Sequence, residues 1–328
     1  MSRTTLDRRG RLLRVAAACA VLLALIGYLV AHFVTGGPGA PRCTVRANGE
    51  TYSADPEQAG NAATISAVGI ARGLPERAVT IALATSMQES GLRNIHHGDR
   101  DSLGLFQQRP TQGWGSAQQI TDPVYATGKF YDHLVQVPGY SRLPLTVAAQ
   151  KVQRSGFPQA YAKHEPDAAL LSSALTGREE AAFSCTTSPP DGKPGDPAAV
   201  RTKLRREFGA AVLPTVTVGS GKDGRGGADA KDSVAARTVT VPVQTAPPDG
   251  GPARRGWQLA SWAVAHAAEL RIERVSFAGR VWSAEHSADG WRKEPPAAGG
   301  GTAGSPGTAP GGKPPANPAA EVRITTAQ

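Results

Sequence analysis

The chain has 328 residues, with 36 Lys and Arg against 27 Asp and Glu, a formal net charge of +9, and only 3 Cys. That length suits two modest domains joined by linkers rather than one small fold, and Gly and Pro crowd into the C-terminal half, where less compact core is expected. The positive excess lies in the first residues and after Cys185, with no dense basic run beyond "KLRREF" in the later part, which argues against a nucleic-acid partner.

Residues 1–14 read as a basic arm, with Arg8, Arg9, Arg11 and Arg14 at its end. Next, "VAAACAVLLALIGYLVAHFV", residues 15–34, contains no formal charge. At about 1.5 Å per residue it reaches roughly 30 Å, which predicts an N-terminal transmembrane helix. The arginines before it place the N-terminus in the cytoplasm and the bulk of the chain outside a cell membrane crossed once. A cleaved signal peptide fits less well, because the apolar run is long and "TGGPGAPR" lacks a small-x-small site. Cys19 within the run reads as lipid-facing or packed. Residues 35–42 form a linker.

Cys43 and Cys185 fall on the exported side, where disulfides persist. They bracket one segment, residues 43–185, and a bridge between them is expected to stabilise it by about 5 kcal/mol through loop entropy. Inside the bracket apolar residues recur at helical spacing. "NAATISAVGIARGL" and "LPERAVTIALATSMQES" are amphipathic, the second with Pro75 at a favoured first-turn position. Further helices are predicted over Asp122 to Val135, Thr146 to Arg154 and Pro166 to Leu175. Strand-like alternation is nearly absent, so the segment reads as all-α.

After Cys185 the texture changes. Residues 186–235 read as a linker containing a short helix, "AAVRTKLRREFGAAVL", and a spacer, "GSGKDGRGGADAKDS". Residues 236–328 read as a small C-terminal α/β domain: "ARTVTVPVQTA" alternates, "GWQLASWAVAHAAEL" is helical, and "IERVSFAGRVW" returns to strand. Residues 295–319 are expected to be a disordered insertion before a last strand, "AEVRITTAQ", pairs back. The fold class is therefore multidomain.

The chemistry concentrates in "MQESGLRNIHHGDRDSLGLFQQRP". Glu89 ends an apolar helix just before Gly91, a residue suited to a left-handed cap. The negative end of the helix dipole disfavours charge there, which suits a carboxyl acting as a general acid on a glycosidic oxygen. The coupled "ES" at Glu89-Ser90 and "SLGLFQ" at Ser102 to Gln107 resemble the lysozyme-like lytic transglycosylases and goose-type lysozymes. "GLFQQRPTQGWGSAQQITDPVYATGKFY" and "AAQKVQRSGFPQAYAKHE" are similar to actinobacterial and phage cell-wall enzymes, so the resemblance runs from about Thr64 to Thr176.

The resemblance implies a lysozyme-like domain that cleaves the MurNAc-GlcNAc bond of peptidoglycan, with Glu89 as acid and then base. It implies that Ser90, Ser102, Gly104, Leu105, Gln107 and Gln108 shape the sugar cleft, with Gln150 supplying an amide and Tyr161 a cleft tyrosine. "AAQKVQ" stands where many lytic transglycosylases carry A-Y-N. A single carboxyl leaves the muramic 6-hydroxyl to attack the anomeric carbon, which gives a 1,6-anhydro product. Asp99 or Asp101 acting as a second carboxylate would instead give hydrolysis. No cofactor is expected, and no metal, since His96, His97 and Asp99 sit in a polar loop and "DRDS" lacks the twelfth-position glutamate of an EF-hand. Trp114 suits sugar stacking or packing. The "GWQLASWAVAHAAELRIERVSFAGRVW" unit resembles a module found after lytic domains in wall proteins, and a wall-binding role is one reading of it. The rival from another class is a non-catalytic wall-binding or scaffold protein that keeps the cleft.

Overall fold

In the computed structural model the described residues are 16–27, 39–157, 159–213, 234–243, 250–294 and 320–328. They fall into two compact units, Met1–Pro41 and Arg42–Gln328. In the first, a helix covers residues 16–27, about 18 Å at 1.5 Å per residue. Among the described residues no helix is long and apolar enough to cross a membrane, which corrects the transmembrane helix predicted over 15–34. The basic arm and residues 28–34 lie outside the described residues.

The second unit opens with a hairpin. β1 (Cys43–Ala47) and β2 (Glu50–Ala54) pair antiparallel around Asn48 and Gly49, whose φ values are +52° and +81°. Both central residues lie in the left-handed region, as a type I′ turn requires, and Asn-Gly is the dipeptide that adopts it most readily. β3 (Phe183–Cys185) adds to the other side of β1, giving the order β2-β1-β3. The segment predicted as all-α thus contains a sheet, which corrects the expected fold class. The sheet draws the two ends of the segment together: Cys43 and Cys185 are direct partners in the β1–β3 register and are joined in a disulfide. Replacing both with Ser is expected to lower unfolding free energy by about 2–5 kcal/mol, read from the urea midpoint at constant m-value; an unchanged midpoint would mean that the bridge constrains nothing in the unfolded chain.

Six α-helices lie between β2 and β3 among the described residues: α1 (Pro56–Ala71), α2 (Glu76–Ser90), α3 (Ala117–Ile120), α4 (Pro123–Val135), α5 (Leu145–Gln153) and α6 (Glu165–Leu175). α1 starts on a reciprocal capping box between Asp55 and Gln58, which satisfies two orphan N–H groups. α2 buries every residue from Ala78 to Met87, the pattern of a helix surrounded by core rather than lying on it. Its residues there are small or aliphatic, so α1, α4, α5 and α6 approach it from several sides.

α7 (Pro197–Phe208) buries Val200, Leu204 and Phe208 and packs on α1, so the helix expected within a linker belongs to the body. α8 (Val234–Arg237), α9 (Pro252–Ala265) and α10 (Ala267–Leu270) accompany a five-stranded antiparallel sheet of β4 (Thr238–Pro242), β5 (Ile272–Phe277), β6 (Arg280–Ser283), β7 (Arg292–Lys293) and β8 (Glu321–Thr326). Its order is β4-β8-β5-β6-β7, which places the last strand between β4 and β5. The spacer at 214–233 and the insertion at 295–319 lie outside the described residues. α9 carries the buried Trp257 and Trp262 and packs against α1, α6, β3 and β5. The helical segment and the α/β segment therefore share one hydrophobic core. Two indoles fasten the sheets together: Trp282 Nε1 donates to the Cys185 carbonyl at 3.1 Å, and Trp291 Nε1 to the Phe183 carbonyl at 2.7 Å.

Candidate active site

Glu89 stands in the last turn of α2, half-buried. The helix ends where Gly91 takes φ +62°, its N–H bonding to the Met87 carbonyl. Gln58 and Asn61 of α1 donate their amides to the Gly91 and Leu92 carbonyls, each at 2.9 Å. The carbonyls of this turn are thus bound from the neighbouring helix, and the position of Glu89 is fixed from below.

Two side chains tie Glu89 to distant segments. Tyr161, wholly buried, donates its hydroxyl to Glu89 Oε1 at 2.6 Å. Burial, and then the neighbouring Glu89, push the Tyr161 phenol well above its usual range, so it stays a proton donor. Ser90 Oγ lies 2.8 Å from the Leu105 carbonyl and 3.1 Å from that of Ser86, so its single proton links "ES" directly to "SLGLFQ". Beside them, Gln88 Oε1 is 3.2 Å from His164 Nε2. Burial holds the His164 imidazole below its ordinary range, which favours the neutral ring.

The "SLGLFQQ" loop is a tight turn closed by reciprocal bonds between Leu103 and Gln108, at 2.9 and 3.0 Å. Gly104 takes φ +73°, donates to the Ile95 carbonyl at 2.7 Å, and would place a Cβ only 2.6 Å from the Ile120 carbonyl oxygen. Only glycine meets both conditions. Gly104→Ala is expected to cost about 1–3 kcal/mol from strain and overpacking, visible as a lowered thermal midpoint; an unshifted midpoint would show that the loop does not need this conformation.

The expected cleft residues divide by exposure. Leu105 is wholly buried, and Gln108 is 2% exposed with its amide on the Ala126 carbonyl at 2.9 Å; both build the loop and offer no surface to a sugar. Ser102 is buried as well, while Gln107 is half-buried, with its amide 3.3 Å from the Gly104 carbonyl. Tyr161 contacts Glu89 rather than facing outward. Gln150 donates to the Ser155 carbonyl at 2.7 Å. The amide that reaches the loop belongs instead to Gln153, which donates to the Phe106 carbonyl at 2.8 Å. Sequence reasoning missed Gln153, although it lies in the same "AAQKVQ" run.

Of the two candidate second carboxylates, Asp101 accepts from Thr111 Oγ1 at 2.6 Å, from Thr111 N–H at 2.9 Å and from Arg109 Nε at 2.7 Å. The Thr111 hydroxyl, the Thr111 N–H and Arg109 together hold the Asp101 carboxyl far below the usual carboxylate range. Its oxygens are occupied in shaping the loop. Asp99 is exposed, as are His96 and His97, and no group of three metal-ligating side chains occurs among the described residues. Trp114 packs on His133, ring centroids 4.3 Å apart. Two surface cavities, of about 600 and 290 Å³, are lined by residues elsewhere, and neither includes Glu89.

The family described as VldE, C-terminal domain, matches residues 199–303. That stretch runs from α7 to just beyond β7 and leaves Glu89 and its loop outside. Comparison with curated proteins gives no match.

Proposed function

We propose that this protein is an extracytoplasmic peptidoglycan lytic enzyme, a lytic transglycosylase in which Glu89 is the acid and base. The observation that carries this reading is the assembly of Glu89, Tyr161 and Ser90 with the Leu105 carbonyl. It joins a carboxyl at a helix end to the turn that the resemblance identifies as cleft-forming. In this reading Glu89 protonates the glycosidic oxygen as the bond to the anomeric carbon breaks. The carboxylate so formed then takes the proton of the muramic 6-hydroxyl as that oxygen closes onto the same carbon. Atoms balance without water, and the product is a 1,6-anhydro sugar.

Asp101 supports the single-carboxyl route, because Arg109 and Thr111 engage both of its oxygens in three hydrogen bonds that hold it to the loop. The Cys43–Cys185 disulfide supports an oxidising, exported location. Mass spectrometry of fragments released from purified peptidoglycan tests the reaction type: anhydro ends are expected, reducing ends would replace transglycosylation by hydrolysis, and the absence of fragments would favour the wall-binding alternative.

A further inference from the structure

The smaller cavity, about 290 Å³, lies between the outer face of the β2-β1-β3 sheet and the stretch that follows β6. β1 alternates strictly, with Cys43 and Val45 buried, so Thr44 and Arg46 face outward. Ser184 is the register partner of Thr44 on β3. Arg42 adjoins this wall, while Arg280, Asp289 and Trp291 line the other side.

Three observations give this space a chemistry. Among the described residues, no ion pair joins a carboxylate to the guanidinium group of Arg42, Arg46 or Arg280. Arg280 stands directly opposite Lys293 in the β6–β7 register, a like-charge pair that costs stability unless an anion lies between. The Ser184 hydroxyl is buried and has no hydrogen-bond partner, which is costly to leave unmade. Asp289, the one carboxylate in the lining, is already 3.8 Å from Arg292.

We propose that this cavity binds a phosphate group, as a monoester or diphosphate. Guanidinium forks match oxyanion geometry. A phosphate monoester carries about −1.5 to −2 charges at pH 7, which answers the surplus of three cations over one carboxylate better than a single carboxylate would. The walls are preorganised, since Trp282 and Trp291 bond across them to β3 and the disulfide joins β1 to β3. The site shares no lining residue with Glu89 and does not depend on the lytic reading.

Titration calorimetry of the full chain with pyrophosphate tests it, alongside Arg46→Glu and Arg280→Glu, both at exposed positions. Saturable one-site binding is expected, weakened about tenfold or more in each variant with an unchanged thermal midpoint. Absence of saturable binding, equal affinity in the variants, or citrate bound as tightly as pyrophosphate would overturn the proposal. Tighter binding of glucose 1-phosphate than of inorganic phosphate would assign a phosphorylated sugar, and the reverse a free phosphate; both support the site.

Discussion

Glu207→Gln is expected to destabilise the Arg42–Gln328 unit by roughly 3–5 kcal/mol, the cost of breaking a buried ion pair on one side. Glu207, on α7, is 3% exposed and His266, after α9, is 2% exposed. Glu207 accepts from Trp262 Nε1 at 2.7 Å and from Thr64 Oγ1 at 3.0 Å, with Lys203 Nζ at 3.3 Å. His266 Nε2 stands 3.6 Å away, an ion-pair distance too long for a hydrogen bond. Glu269 completes the group, 3.0 Å from His266 Nδ1 and 3.0 Å from Lys203. The cluster joins α1, α7, α9 and α10, so its loss reaches both halves of the core. A urea midpoint within error of wild type would refute this.

The same cluster sets a pH dependence. Burial by itself pushes the His266 imidazole down, but Glu207 and Glu269 outweigh it and raise the ring above its ordinary value near 6.5. Its stabilising contribution is therefore complete below about pH 6.5 and is lost as pH rises through the raised value. Burial pushes the two carboxyls up, but His266 and Lys203 outweigh it, lowering Glu207 and bringing Glu269 to about 2. Their contribution is present above their ordinary value of 4.5 and fades as the pH falls below it. Wild type is expected to lose stability on the alkaline side, and His266→Leu to flatten that slope. A wild-type stability curve flat from pH 6 to 9 would count against the charged pairing.

Tyr161→Phe is expected to lower kcat about 10- to 100-fold while leaving KM close to wild type, because one hydrogen bond to the acid is lost and no sugar contact is. Tyr161 is a positioning residue in this account: wholly buried, it acts through Glu89. The pH profile should also move, since the group that donates to Glu89 is gone. A variant with raised KM and wild-type kcat would instead place Tyr161 against substrate.

Much of this was legible along the chain. α1 and α2 follow from apolar spacing, and the end of α2 from Gly91. The coupling of "ES" to "SLGLFQ" appears as a single bond from Ser90 to the Leu105 carbonyl. The N-terminal sheet was not read, although Asn48-Gly49 was a usable hairpin signal; its strands are five, five and three residues long, too short for alternation to stand out beside helices. α7 reads as a short helix but one assigned to a linker, because the Pro/Gly-rich stretch before it looks like a spacer and its burial depends on partners such as Thr64, far along the chain. Tyr161 and Gln153 contact residues 72 and 47 positions away, and local pattern carries no trace of such pairings.

The decisive comparison is digestion of purified peptidoglycan by wild type, Glu89→Gln and Asp101→Asn, each checked for an unchanged far-ultraviolet spectrum, with mass spectrometry of the released fragments. The account predicts anhydro-ended fragments from wild type, a loss of about 10²- to 10⁴-fold in Glu89→Gln, and residual cleavage with the same ends in Asp101→Asn. Undiminished cleavage by Glu89→Gln would contradict it.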